Sequence, residues 1–176
     1  MKISQEYLSK SHKQDYSKKK VIDGVIFKEI LQFSGEDGYI SELVRLEGGK
    51  VRDLPNFQPL QVNRSVLLPG GVKAWHFHLN QEDLWYVAPE FTLLVGLLDL
   101  REDSSTYNVS MRFALGGGKS QLLYIPRGVG HGCANTTADK VEILYFVNQH
   151  FSATKNDENR LPWDILGTNF WQMVKD

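Results

Sequence analysis

From residue 21 onward the chain is written as short apolar or alternating runs, each closed by turn residues. The runs fall at 21–30, 39–46, 60–67, 74–78, 84–87, 91–99, 110–114, 121–125, 130–134 and 141–148, and they are rich in Val, Ile, Leu, Phe and Tyr. β-Branched and aromatic side chains fill a pleated surface well, and runs of this length read as strands. The breaks contain Gly48-Gly49, Gly70-Gly71 and Gly116-Gly117-Gly118, together with Asn and Asp, the residues that tight turns demand. Many short strands with no long helical pattern between them leave an antiparallel sandwich or barrel as the architecture. Only the end of the chain reads as helix. Asp164 is placed to cap a turn or two carrying Asn169, Phe170, Trp171, Met173 and Val174 at helical spacing.

Residues 1–20 are polar and rich in Lys and Ser, with no periodic apolar face; they read as an arm outside the core, and residues 21–176 as one barrel domain with its tail. A chain of 176 residues, 41% hydrophobic and 23% charged, is long enough to bury a core without staples. The net charge of −1 offers no electrostatic footprint for nucleic acid, and Lys18-Lys19-Lys20 reads as a solvated tether. The lone Cys133 has no internal disulfide partner, which fits a reducing, cytoplasmic setting. The N-terminal stretch lacks the apolar centre of a secretory signal, and no run approaches the roughly 20 apolar residues of a membrane span. The expectation is a cytoplasmic protein without nucleic-acid or membrane partners.

Histidines carry the chemistry. His76 and His78 sit in Ala74-Trp75-His76-Phe77-His78, and on a strand residues i and i+2 share a face. With Trp75 and Phe77 packed outward, both imidazoles face the interior. His131 follows Ile125-Pro126-Arg127-Gly128-Val129-Gly130, a turn that returns the chain to a strand. A single histidine in such a place is ordinarily a hydrogen-bonded core residue; two such places in a chain with five histidines favour a functional pocket. Two readings compete. His76-x-His78-x3-Glu82, with Pro126-x-Gly128-x2-His131-x3-Asn135 later in the chain, resembles the paired motifs of metal-dependent cupins. In that alternative His76, His78, Glu82 and His131 hold a divalent metal for oxygenase or isomerase chemistry. Gly70 keeps the flanking glycine of that pattern, whereas Pro89 and Ser120 replace it.

The second reading covers more of the chain. Its marks are Gln61-Val62-Asn63-Arg64-Ser65, Gly70, Lys73-Ala74-Trp75-His76, Leu98-Asp99-Leu100-Arg101 with Ser104-Ser105-Thr106-Tyr107, Tyr124-Ile125-Pro126-Arg127-Gly128 with His131-Gly132, Leu144-Tyr145, and Pro162-Trp163-Asp164. In order and spacing, residues 21–171 resemble the dTDP-4-dehydrorhamnose 3,5-epimerase family. The resemblance implies an all-β cupin fold, a double-stranded β-helix or jelly-roll barrel, ending in a short C-terminal helix. It implies a homodimer that exchanges strands between subunits, with the N-terminal arm a suitable exchanged piece. It also implies cofactor-independent epimerisation of a nucleotide-linked 4-keto sugar, by proton abstraction next to the ketone and reprotonation on the opposite face.

Carried onto this chain, the resemblance makes His76 the base, Asp164 its carboxylate partner and His131 a holder of the sugar or its oxyanion. Lys73 meets the diphosphate, and Gln61, Asn63 and Arg64 lie on a strand facing the same pocket. Three positions depart from the family. Asp37 stands where it has an arginine, Asp83 where it has a lysine, and Phe151 where it has the tyrosine that donates the second proton. Phenylalanine donates no proton, so His150 or Tyr145 is left to act as acid, or one face lacks its acid. That loss points to inversion at one carbon only or to ketone migration along the ring. A non-catalytic sugar-nucleotide-binding relative is a further reading.

Overall fold

A computed structural model describes residues 1–17, 19–54 and 56–173. Lys18 of the basic cluster and Val174 of the expected C-terminal helix lie outside the described residues.

The apolar runs become strands because most of them are covered on both faces. One five-stranded antiparallel sheet has the order β1 (Ile26–Glu29), β11 (Gln121–Ile125), β8 (Asp83–Tyr86), β13 (Val141–Val147), β6 (Gln61–Leu67). The second has the order β10 (Ser110–Gly116), β9 (Thr92–Asp99), β12 (Val129–Ala134), β7 (Val72–Phe77), β14 (Asn159–Arg160). Four further strands form two small hairpins, β2 (Gln32–Gly35) with β3 (Gly38–Ser41) and β4 (Leu46–Glu47) with β5 (Lys50–Val51). The two large sheets face each other as a jelly roll of the cupin type.

Between the sheets lies the main core, built from Trp85, Leu93, Val95, Leu97, Leu123, Ile125, Cys133 and Ile143, among others. Each sheet is also covered outside. Ile30, Val51, Leu54 and Phe57 lie over Leu84, Tyr86, Leu122 and Tyr124 of the first sheet. The C-terminal tail lies over the second, where Trp171 packs on Trp75, Leu94 and Leu98. Hence β9 reads Thr-Leu-Leu-Val-Gly-Leu-Leu-Asp rather than alternating, with seven of its eight residues buried. Gly96 interrupts that run for a steric reason. A Cβ there would lie 2.6 Å from Phe170 and 2.7 Å from Trp171, so the glycine makes room for the tail. Gly116, Gly117 and Gly118 all adopt left-handed backbone conformations, as a turn between strands requires, and the strand β11 follows them rather than a helix.

The two sides of the sandwich end differently. Phe27 of β1 meets Phe113 of β10 edge-to-face at 4.9 Å and closes one side. On the other side the edge strands β6 and β7–β14 stay apart, and the gap is the pocket.

Four expectations change. The expected strand at 39–46 breaks into Gly38–Ser41 and Leu46–Glu47, which belong to separate hairpins. The polar arm carries a six-residue helix, α1 (Gln5–Lys10), capped by Ser4 and burying nothing. The expected strand at 21–30 shortens to Ile26–Glu29, because Ile22–Val25 form a turn closed by the Val25 N–H on the Ile22 carbonyl. The C-terminal helix contracts to one 3-10 turn, Thr168–Trp171, whose N-cap is Gly167 rather than Asp164. Tertiary packing of Trp171 on Trp75, with centroids 4.9 Å apart, overrides the helical pattern there. Among the described residues no helix is long and apolar enough to cross a membrane.

Candidate active site

Two adjoining cavities, about 450 and 430 Å³, open between the sheets and share His78, Gln81, Tyr145 and Glu158 in their walls. Their combined size suits a large polar ligand. Strand register lines up the walls. On the second sheet His131 of β12 sits directly opposite His76 of β7, with the two rings nearly parallel and centroids 6.1 Å apart. On the first sheet Asn63, Tyr145 and Trp85 form one row across β6, β13 and β8. A histidine row therefore faces a row bearing a phenol.

His76 has a carboxylate partner, and it is Glu158. Nδ1 of His76 lies 2.9 Å from Oε1 of Glu158, which also accepts from Arg160 at 2.5 Å. Pairing of β14 with β7 sets this contact, placing Arg160 opposite His76 in register. Asp164, the partner implied by sequence, is exposed in the turn ahead of the 3-10 helix, where its carbonyl accepts from Gly167. Burial lowers the pKa of His76, with the Glu158 charge opposing, so the ring stays unprotonated and able to accept a proton.

His131 is deeper. It is 4% exposed, and burial holds its pKa down to about 4 against the opposing charge of Asp83. Its Nδ1 lies 3.1 Å from the Val129 carbonyl, so that nitrogen carries the proton and Nε2 presents a lone pair. As a neutral ring in this tautomer it accepts a hydrogen bond from a sugar hydroxyl and cannot donate to an oxyanion, which revises half of its expected role. His78 is also buried, with Nδ1 2.9 Å from the Asp157 carbonyl. The Asp157 carboxylate accepts from the backbone N–H groups of Leu79, Asn80 and Gln81 at 3.1, 2.8 and 2.9 Å. That clamp fixes the turn after β7; burial opposes its ionisation, but the three N–H groups keep its pKa below the ordinary value.

The remaining candidates divide by strand parity. Gln61 and Asn63 alternate inward on β6, joined by a 2.8 Å hydrogen bond from Gln61 Nε2 to Asn63 Oδ1, and both line the cavity. Arg64 alternates outward, is exposed, and pairs with Glu142 on the neighbouring strand, so the structure does not bring it into the pocket. Lys73 lies at the cavity rim with Nζ 2.7 Å from Ser65 Oγ. Tyr145 is half-buried, and its pKa is raised by burial first, then by the charges of Asp83 and Glu158. It remains a proton donor. His150 and Phe151 are exposed on the outer cavity's wall.

The alternative metal set read from the sequence is not assembled. Glu82 turns to the outer side of its sheet, where it accepts from Asn148 Nδ2 at 3.1 Å and lies beside the Tyr124 hydroxyl. Its neighbour Asp83 points inward, 4% exposed. Asp83 accepts from Gln81 Nε2 and Trp85 Nε1, both at 2.9 Å. Cys133 is buried in the wall, and burial raises its thiol to about 12, leaving it without nucleophilic character.

Sequence reasoning missed Glu158 and Asp157, which lie in a polar stretch without periodicity. Their one signal is position, just ahead of the Arg160-Leu161-Pro162-Trp163 run that returns to the core.

The chain as a whole is similar to known proteins. The family model described as dTDP-4-dehydrorhamnose 3,5-epimerase matches residues 19–170. The spore coat polysaccharide biosynthesis protein SpsL of Bacillus subtilis is 35% identical over 152 residues, covering 85% of this chain and 97% of that protein. A dTDP sugar isomerase of Desulfovibrio desulfuricans superposes with a TM-score of 0.71 at 27% identity, over 87% of this chain and 91% of that one. The dTDP-4-dehydrorhamnose 3,5-epimerase of Bacillus anthracis, solved with TDP and pyrophosphate bound, shares the fold at a TM-score of 0.70 and 22% identity, over 86% and 87%. With the match spanning nearly the whole barrel and its tail, this chain belongs to the dTDP-4-dehydrorhamnose 3,5-epimerase family.

Proposed function

We propose that the protein is a sugar-nucleotide epimerase or isomerase that acts on a nucleotide-linked 4-keto-6-deoxyhexose and needs no redox cofactor. The observation that carries this reading is the His76–Glu158 pair, at 2.9 Å, set in the gap between the sheets opposite Tyr145. A C–H bond beside a ketone is acidified because the carbonyl takes up the charge as an enolate. The base for it must be neutral at working pH and held in one tautomer. Glu158 accepts from Nδ1 of His76 and leaves Nε2 free to take the proton. The resulting imidazolium is stabilised by the same carboxylate. Tyr145, on the facing sheet, returns a proton to the opposite face of the sugar ring. Gln61, Asn63 and His131 address hydroxyl groups, while Lys73 and Lys155 stand at the rims of the two cavities for the diphosphate.

With Phe151 at the place of the family's acid, the proton for the face opposite the base comes from Tyr145 at a different position, which fits inversion at one carbon. Incubation in heavy water with a dTDP-linked 4-keto-6-deoxy sugar tests the reading. Deuterium is expected at C3 or C5 alone. Label at both positions contradicts inversion at one centre, and label at neither rejects this substrate class. The His76→Ala variant is expected to lose about 10²- to 10⁴-fold in kcat while retaining dTDP binding; a protein that only binds sugar nucleotides would show no turnover to lose.

The protein is further proposed to act as a cytoplasmic homodimer. Phe33, Tyr39 and Ile40 of the β2–β3 hairpin and Val62 on the β6 edge are all exposed, an apolar surface of the kind that a second copy covers.

A further inference from the structure

We propose that His78, Asp83 and His131 form a binding site for a divalent first-row transition-metal ion, beside the base rather than including it. The three come from different places in the fold: just past the end of β7, the start of β8 and the middle of β12. All are more than nine-tenths buried, at 7%, 4% and 4% exposure. One ligand atom from each lies within 4.8 Å of the others, and Nε2 of His131 stands 3.9 Å from Oδ2 of Asp83.

The tautomers make this more than proximity. Both imidazoles place Nδ1 against a backbone carbonyl, at 2.9 Å for His78 and 3.1 Å for His131. A carbonyl only accepts, so each Nδ1 bears the hydrogen and each Nε2 offers a bare lone pair. This outer contact is what orients histidines toward metals. Asp83 offers further lone pairs, since its two oxygens each accept from one neutral donor, the Gln81 amide and the Trp85 indole. Three lone-pair donors thus converge on one space, and one of them is a buried anion with only neutral hydrogen-bond partners. A dication removes the mutual repulsion and compensates the charge.

The amide of Gln81 now stands in that space, with Nε2 3.2 Å from His78 Nε2 and 2.9 Å from Asp83 Oδ1. Its N–H groups occupy the place of the cation. Gln81 is only half-buried, so its side chain has room to swing aside or to turn its oxygen inward as a further ligand. Bound at ordinary lengths near 2.1 Å, the three donors would lie roughly 3.4 Å apart, which asks each to move by less than about 1 Å. Two imidazoles and one carboxylate with open positions suit Mn(II), Fe(II), Co(II) or Zn(II). When bound, the ion takes the Nε2 lone pair that His131 otherwise offers to a sugar hydroxyl and supplies Lewis-acid polarisation of a carbonyl oxygen in the pocket; that consequence rests on the epimerase reading, whereas binding itself does not.

The test uses the full-length chain after treatment with a chelator, titrated with Co(II). One equivalent is expected to bind, with the d–d absorption of a histidine-ligated ion. Asp83→Asn and His78→Gln should each weaken binding by about 100-fold or more, and His12→Gln in the exposed arm should leave it unchanged. A measurement on the unaltered protein guards against variants that misfold. One equivalent of Mn(II) should broaden the indole N–H resonance of Trp85, which donates to Asp83, before that of Trp163. Absence of stoichiometric binding, binding that survives both variants, or broadening that spares Trp85 would each overturn the site. The heavy-water experiment on the chelator-treated protein reads the epimerase proposal separately, so the two fail independently.

Discussion

Asp99 closes β9 and Asp83 opens β8, and water reaches neither: their exposures are 0% and 4%. Around Asp99 the charge is met completely. Arg101 donates from Nε at 2.7 Å and from Nη2 at 2.9 Å, Ser104 and Thr106 each donate a hydroxyl at 2.6 Å, and the Arg101 backbone N–H completes the shell at 3.2 Å. Burial opposes ionisation there, but these partners keep the carboxyl well below the usual carboxylate range. Around Asp83 the donors are neutral, and the nearest ring nitrogen, 3.9 Å away, bears no hydrogen in the tautomer that the Val129 carbonyl sets. One aspartate is a finished ion pair that fastens the 99–109 loop. The other is a charge left for something that enters the pocket. Completeness of partnering, rather than burial, separates structural carboxylates from functional ones here.

The comparison breaks most readily at Asp99. Replacing it by Asn keeps its shape and strands the Arg101 guanidinium, and loss of one partner from a buried pair costs about 3–5 kcal/mol. Thermal unfolding of Asp99→Asn is expected roughly 10 °C or more below wild type. The pH dependence carries the same signature. Asp99 ionises more readily folded than unfolded, so its stabilisation is complete above the unfolded carboxylate value of about 3.9 and is lost as pH falls toward its depressed folded value. Wild-type stability should therefore decline below about pH 4, and Asp99→Asn should show a shallower decline in the same urea titrations. An unchanged slope would assign the acid sensitivity to another group.

Glu158 sharpens the comparison from between the two extremes. It is one-third exposed and shared between His76 and Arg160, so its removal should cost little stability. Its effect belongs in catalysis. Glu158→Gln is expected to lower kcat about 10²-fold with little change in KM, because the base loses the charge that stabilises its imidazolium while the sugar contacts remain. Asp164→Asn, in the exposed turn, should leave both constants unchanged. The reverse pattern would return the partner role to Asp164.

These residues also mark what the sequence makes legible. Strands such as β9 and β11 are covered on both faces, and their apolar text is unambiguous. His76 and His131 are legible because one sits at i, i+2 spacing with a second histidine and the other follows a Pro–Gly turn. Asp83 and Glu82 are neighbours of identical charge type, and only the phase of β8 decides which points inward; a shift of one residue exchanges their faces. The 3.6-residue spacing near the end misleads because Trp171 is held by Trp75 and donates to the Trp163 carbonyl, contacts that need only one 3-10 turn. Glu158 depends on a two-residue strand that exists only through its pairing with β7, and nothing local in its polar surroundings announces that contact.

The smallest expected effect discriminates most sharply. In chelator-treated protein, Asp83→Asn should change stability by no more than about 1 kcal/mol, in either direction. The carboxamide fills the same volume, its oxygen can still accept from Trp85, and a buried charge without an ionic partner disappears. Excess Co(II) should then raise the unfolding temperature of wild type, since an ion that binds only the folded state stabilises it by mass action, and should leave that of Asp83→Asn unmoved. Should the substitution instead destabilise the metal-free protein as much as Asp99→Asn does, Asp83 would be a structural anion. The contrast between the two aspartates would then be one of geometry without a difference in purpose.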